Sequence, residues 1–367
     1  MQNINYRNKY FIIFFLILFF INIINISGDI TNNKIVIGEE KRPLVDLVVI
    51  TNDNWVDCLA ATSYAYENNG VILQNNKYYL SSDIEQLVSA INPKKIVIVG
   101  GPEAISYDIE NKLKEYGKVS RIWGLTRIET NNKLIDKINS NNKNNNNTMV
   151  YVNSYNFNNV ATVLSNNYIP IYVKVSIYDP KKVVRFYDGN TVHIYKNNKL
   201  INTCSRNEIK ELPGEIIVIK NIGKYNNTKY CYGGNITKFN YNQVNISNIN
   251  YVNEKIILIN KYNPSGILLG KYANTHTIIT SNVYNIDNEN NIIKYTDNPV
   301  ENSIITTVNI LVLKEASKKY EKGVSINELL DSVKTELFSR KIPVDEYNIP
   351  YSIAEKYILK NTINNSK

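Results

Sequence analysis

The sequence predicts an α/β fold: repeated Rossmann-like or flavodoxin-like three-layer units with short parallel sheets, followed by C-terminal helices. Three observations carry this reading. Between Leu44 and Asp136, apolar runs of strand length alternate with stretches of helical periodicity. After a polar tract the pattern starts again at a constant offset. From Thr307 onward the signals are helical.

The elements follow in order. "LVVIT" (Leu47 to Thr51) is a β-rich run, and "NWVDCLAATSYAYEN" repeats Trp55, Leu59, Ser63 and Tyr66 at helical spacing. A strand begins at Val71. Ser82 with Glu85 has the spacing of a capping box and opens a helix with Ile84, Leu87, Val88 and Ile91 on its apolar face. "IVIVGGPEAIS" (Ile96 to Ser106) reads as a strand, a glycine turn and a helix start with Ser106 as N-cap; Ile109 and Leu113 mark that helix, and Gly117 stops it. "VSRIW" (Val119 to Trp123) is a further strand. "NSNNKNNNNTM" (Asn139 to Met149) is a low-complexity linker.

Beyond it, "VYVNSYNFNNVATV" aligns with "VVITNDNWVDCLAA" at an offset of 102 residues, which sets Phe157 on Trp55 and Asn159 on Asp57. In the same copy, "EIIVIKNIG" (Glu215 to Gly223) matches the "KIVIVGG" strand and "YCYGGNIT" echoes "RIWGLTRIET". A third start is "KIILINKYNPSGILLGKYA", with Tyr262 and Ser265 near the Trp55 and Asp57 positions. Thr307 to Lys322 then reads as a helix ended by Gly323, Ser325 with Glu328 as a second capping box, and Tyr351 to Leu359 as a last helix. The expected organisation is a leader at 1–28, a module at 44–138, the linker at 139–149, a degenerate second module at 150–240, and a degenerate third at 254–362 with the C-terminal helices.

Arg7 and Lys9 precede the apolar stretch "YFIIFFLILFFI", which is either a cleaved signal sequence or a retained membrane anchor. Either way the bulk is expected outside the cytoplasmic membrane, secreted or on the cell surface. Sequons at Asn146, Asn226, Asn235 and Asn245 are candidate glycosylation sites, though they arise readily in so Asn-rich a chain. Three cysteines are too few for a disulfide framework; Cys204 and Cys231 either pair or stay free, and Cys58 lies in an apolar run. The net charge of +9 favours acidic partners, but the basic residues are scattered, which argues against nucleic acid.

"DNWVDCLAAT", "IVIVGGPEAIS" and "VSRIWGLTRIET", taken in order, give the first unit a resemblance to the cell wall-binding repeat 2 family, whose modules occur on surface-layer and other envelope proteins. The family's motif positions fall on Asp57, Gly100, Gly101, Ile105, Ser106, Arg121, Gly124, Arg127, Glu129 and Thr130. Thr126 and Ile128 depart from it, where an acidic residue or Asn and an aromatic are usual. The resemblance implies three modules about a pseudo-threefold axis that bind anionic wall polymers without catalysis.

Physically, Arg121 and Arg127 flank a turn at Gly124 and either brace the Gly-Gly turn and Glu129 or offer guanidinium forks to an anionic glycan. Asp57 is expected to cap its helix or pair with an arginine. The helix start at Ser106 is a further place for a polymer anion.

Enzyme signatures are missing from the sequence. "GGPEAIS" is neither a dinucleotide fingerprint nor a phosphate loop. His193 and His276 stand apart from any Cys or carboxylate cluster, so no metal, cofactor or catalytic residue is assigned. The expectation is a non-catalytic, exported envelope protein that attaches to or organises an anionic surface polymer. The alternatives are a secreted enzyme acting on envelope glycans and a membrane-anchored protein that meets other surface proteins.

Overall fold

The structure, a computed structural model, describes residues 42–141, 149–176, 256–279 and 296–365, with the strands between 183 and 244 given below. In the first unit, β1 (Leu47–Asn52), β2 (Val71–Asn75), β3 (Lys95–Val99) and β4 (Lys118–Ile122) form a parallel sheet of order β2-β1-β3-β4. Its inner strands are buried on both faces, which is why they read as unbroken apolar runs. The helices are α1 (Trp55–Glu67), α2 (Ser82–Ile91), α3 (Tyr107–Leu113) and α4 (Arg127–Asn141). With the right-handed crossovers that parallel strands take, the strand order sets α1 on one face and α2 and α3 on the other; α4 packs beside α1, giving three layers. The strand order is that of a flavodoxin-like sheet.

One local expectation fails here. Ser81, not Ser82, is the N-cap of α2, and it makes no side-chain capping bond. Glu85 instead accepts hydrogen bonds from Lys112 Nζ and, at 2.7 Å, from Tyr116 Oη, tying α2 to the end of α3. A cationic partner outcompetes a backbone amide for the carboxylate.

The second unit opens with β5 (Met149–Asn153), α5 (Phe157–Ser165) and β6 (Ile169–Ser176). Next come a meander, β7 (Val183–Asp188), β8 (Thr191–Lys196) and β9 (Lys199–Ser205), and then β10 (Ile216–Val218), β11 (Lys229–Tyr232), β12 (Asn235–Lys238) and β13 (Gln243–Val244). Strand β11 runs parallel to β5 on the side away from β6, so β6-β5-β11 repeats β2-β1-β3. This corrects the sequence alignment, which gave that place to Ile216–Val218. Strand β10 is antiparallel to β6 at the edge, so the sheet is mixed. A chain returning from an antiparallel meander can add to the nearest edge without the crossover that a parallel place requires.

The third unit is β14 (Ile256–Ile259), α6 (Gly266–Ala273) and β15 (His276–Ile279), with its two strands parallel. The tail is helical: α7 (Pro299–Lys319), α8 (Ile326–Ser339), a 3-10 turn at Val344–Glu346 and α9 (Tyr351–Asn365). Helix α7 starts ahead of the expected Thr307 because Asn298 caps it through Val300 N and Pro299 occupies its first turn. Ser325 precedes α8 as expected, without a side-chain capping bond.

Helices α1, α5 and α6 pack pairwise around a common centre, and one apolar core runs through all three units. Two sheet edges are sealed in the same way. Gln74 N donates to Ser303 Oγ at 2.9 Å and Thr307 Oγ1 donates to Ile72 O at 3.3 Å, so α7 satisfies the open edge of β2. On β6, Tyr172 N donates to Asn131 Oδ1 at 2.8 Å and Asn131 Nδ2 donates to Pro170 O at 3.0 Å. Counted from the positive-φ asparagines Asn69 and Asn167 that precede the two strands, Pro170 and Tyr172 stand where Ile72 and Gln74 stand in the first unit. Asn131 and Ser303 are each the fifth residue of their helices.

Cys58 is buried. Cys204, on β9, carries a free thiol, and Cys231 lies on β11 of a different sheet, so the pairing is not made in this structure. The leader at 1–28 and Asn146, Asn226 and Asn245 lie outside the described residues, and Asn235 opens β12. Among the described residues no helix is long and apolar enough to cross a membrane.

Candidate functional site

The first sheet has its switch point between β1 and β3, where an open parallel sheet leaves a crevice beyond its strand ends. Two asparagine turns lead the chain into it. Asn52 Oδ1 accepts from Asn54 N at 3.3 Å, and Asn54 Oδ1 accepts from Val56 N at 3.1 Å. Helix α1 therefore begins with Asp57 in its first turn, beneath the β3 loop. Gly100 has φ of +123°, and a Cβ there would stand 2.9 Å from Asp57 Oδ2. Both the left-handed backbone and the close carboxylate demand glycine. At Gly101 the constraint is the ring of Trp123, 3.0 Å from where a Cβ would be.

Asp57 departs from expectation. Asn54 caps the helix in its stead, and among the described residues the Asp57 carboxylate makes no hydrogen bond or ion pair. Burial pushes its pKa up to about 6, and the charge of Arg127 partly opposes that rise.

Arg121 is a brace. Its Nε donates to Glu110 Oε2 at 2.8 Å, and Nη1 donates to the carbonyls of Gly100 and Ile105, each at 2.9 Å. Nη2 reaches Ser106 O at 3.3 Å, and the guanidinium stands 5.4 Å from the Tyr107 ring centre. The side chain is 6% exposed, which leaves little of it for a ligand. Its carboxylate partner is Glu110, where the sequence suggested Glu129.

Glu129 and Thr130 build the corner after β4. Thr130 Oγ1 accepts from Gly124 N and Glu129 Oε2 from Leu125 N, both at 2.9 Å, while Thr126 Oγ1 accepts from Glu129 N at 3.2 Å. A Cβ at Gly124 would come within 2.2 Å of Glu129 Cβ, so glycine is required. Ile128, the departure from the usual aromatic, packs against the core.

Arg127 leaves this corner for the second unit. Its Nη1 donates to Ser154 O at 2.9 Å, and the guanidinium lies 4.3 Å from the centre of the Tyr155 ring. It therefore braces the next unit's loop and does not reach the Gly-Gly turn, with Nε and Nη2 left over beside exposed Tyr155.

Ser106 caps α3 through Ile109 N at 3.4 Å, as expected. As an anion site this start is poor, because α3 has seven residues and carries Asp108 and Glu110 in its first turn. Beside it, Ser106 N donates to Lys77 O, which brings exposed Tyr78, Tyr79 and Tyr107 to the same rim. The sequence reading missed these tyrosines. Among the described residues no cluster of three His, Cys, Asp or Glu could hold a metal ion.

Residues 21–110 match the family model "Cell wall binding domain 2 (CWB2)". The match takes in "NWVDCLAAT" and "IVIVGGPEAIS" and ends within α3, before Arg121. The "Amidase enhancer" of Bacillus subtilis is 36% identical over 81 residues, which are 22% of this chain and 12% of that protein. "N-acetylmuramoyl-L-alanine amidase LytC" of the same organism is 30% identical over 84 residues, 23% of this chain and 17% of that one. The chain thus spans less than a fifth of either relative. Among solved structures, Cwp6 from Clostridium difficile aligns with a TM-score of 0.32 at 23% identity, covering 37% of this chain and 22% of that one. The resemblance read from the motifs is borne out.

Proposed function

We propose that this chain is an exported, non-catalytic envelope protein that attaches to an anionic cell-surface polymer through its cell wall-binding units. The observation that carries the reading is the cell wall binding domain match over residues 21–110, whose described part supplies β1, β2 and β3 of the first sheet, with β4 following it in the same sheet. The two Bacillus relatives share only a short segment with this chain. A segment recurring beside different partners behaves as an attachment module.

The geometry favours binding over chemistry. Most motif side chains are committed to one another: Arg121 to three carbonyls and Glu110, and Thr130 and Glu129 to the Gly124 corner. Among the described residues no second carboxylate or imidazole is hydrogen-bonded to Asp57, so the partner that acid–base work needs is not at its side there. The rim instead offers flat exposed rings, Tyr78, Tyr79, Tyr107 and Tyr155, on which sugar faces can pack, with the spare donors of Arg127 beside them. The net charge of +9 adds long-range attraction to an acidic polymer.

Co-sedimentation of the full chain with purified envelope polymer at low and high salt tests the proposal. Binding that weakens as salt rises is expected. Binding to surface proteins alone, or none to polymer at low salt, would overturn it.

A further inference from the structure

The C-terminal ends of α1, α5 and α6 frame a pocket of about 510 Å³ at the meeting point of the three units. Each helix passes to its following strand through an asparagine with positive φ: Asn69 (54°), Asn167 (60°) and Asn274 (50°). The next residue's N–H then closes on a carbonyl five positions back, Gly70 to Ala65, Tyr168 to Val163 and Thr275 to Gly270. Asparagine tolerates this left-handed turn better than other side chains. All three asparagines line the same pocket, one from each unit, which places it where the three units meet. Helix α9 walls one side with Lys356, Tyr357 and Lys360.

The lining has a surplus of positive charge. Lys271, Lys356 and Lys360 face one acid, Glu67. Lys271 Nζ donates to Asn167 Oδ1 at 3.2 Å and lies 5.4 Å from the Tyr66 ring centre. Its partners are a neutral amide and a π face, and burial pulls its pKa down to about 8 against the pull of Glu67. Just behind, Lys314 donates to Asn69 O at 3.0 Å and stands 4.4 Å from the Tyr272 ring centre. Lys356 and Lys360 are exposed and form no ion pair among the described residues. Partly desolvated ammonium groups without a carboxylate contact are costly, and an incoming anion relieves that cost. The amides and tyrosines around them suit hydroxyl groups, and the volume falls within the usual range for small-molecule sites, roughly 300–1,000 Å³.

We propose that this pocket binds a small anionic sugar, a hexose carrying a phosphate or carboxylate, with Lys271 and Lys360 taking the anion and the asparagine amides the hydroxyls. The site is separate from the rim of the first sheet and does not depend on polymer binding there. The sugar is either free or the terminal residue of a polymer.

Calorimetric titration of the full chain with glucose 1-phosphate, glucuronate and glucose at low ionic strength tests it. Saturable binding of at least one anionic sugar is expected, with glucose at least tenfold weaker. Lys271→Met and Lys360→Met should each weaken binding about tenfold, and Lys114→Met, outside the pocket lining, should leave it unchanged. Lys360 is exposed on α9, so K360M keeps the test valid should K271M fold poorly. No saturable binding of either anionic sugar, or affinity indifferent to both lysines, would overturn the proposal. Displacement of the bound sugar by purified envelope polymer would assign the site to a polymer end, and persistence would assign it to the free sugar; either result retains the pocket as an anionic-sugar site.

Discussion

The indole of Trp55 meets the ring of Phe157 edge-on, with centroids 5.5 Å apart and planes at 86°. Each is the first residue of its helix, and the 102-residue offset of the sequence repeat pairs the same two positions. Residues equivalent in the repeat are therefore contacts in the fold, as expected when repeated units pack about a shared centre. Phe157→Ala should lower stability by about 3–5 kcal/mol, the usual cost of emptying a buried aromatic site. A double-mutant cycle with Trp55→Ala, read by urea unfolding, should return a coupling of about 0.5–1.5 kcal/mol. Strict additivity would show that the two rings touch without interacting.

Asp57 makes stability depend on pH. Its folded pKa of about 6 lies above the ordinary carboxylate value, with burial as the main cause and Arg127 opposing. The folded state thus holds a proton that the unfolded state has released. Stability falls as pH rises from about 4 to about 6 and stays low above that, by roughly 2–3 kcal/mol at about 1.4 kcal/mol per pKa unit. Asp57→Asn keeps the shape and removes the charge. It should raise the unfolding midpoint at pH 7.5 and flatten the profile between pH 4 and 6; a variant less stable than the parent at pH 7.5 would refute this account.

Arg121 holds the Gly-Gly loop to β4 through Glu110 and three carbonyls. A lysine has one nitrogen on a flexible stem and cannot serve these partners at once. Arg121→Lys should cost about 2–4 kcal/mol, because Glu110 and the carbonyls lose partners in a partly buried site. Rim binding should survive at temperatures where the variant stays folded. A loss of polymer affinity larger than the loss of folded fraction would mean that Arg121 meets the ligand directly.

Much of the first unit was legible because its strands are apolar on both faces and its helices carry a clear period. Ser106 as N-cap and Gly124 as an obligatory turn could be read from local chemistry alone. What escaped depends on distance in the chain. Whether Arg121 meets Glu110 or Glu129 turns on a loop's path, and the seat of β11 beside β5 turns on how a meander rejoins an edge. The third repeat was placed slightly out of register. Tyr262 N donates to Asn260 Oδ1 as Tyr155 N does to Asn153, so Tyr262 matches Tyr155 and not Trp55. A signal for this was present in Asn52, Asn153 and Asn260, each closing the loop that follows a first strand. Asparagine is so common here that the recurrence did not stand out.

The sealed edges give the last prediction, because two units solve one problem with different side chains. Strand β2 exposes Ile72 O and Gln74 N on its open edge, and two hydroxyls of α7 answer them. On β6 the equivalent groups, Pro170 O and Tyr172 N, meet the single amide of Asn131. One amide carries both a donor and an acceptor, so Asn131→Leu strands two buried backbone groups, whereas Ser303→Ala strands only Gln74 N. At about 1–3 kcal/mol for each unsatisfied buried group, N131L should cost roughly twice what S303A costs. Amide exchange locates the damage: Tyr172 N–H should exchange faster in N131L and Gln74 N–H faster in S303A, each with little change at the other edge. Equal acceleration at both amides in either variant would mean that the units unfold together and that the seals are not local.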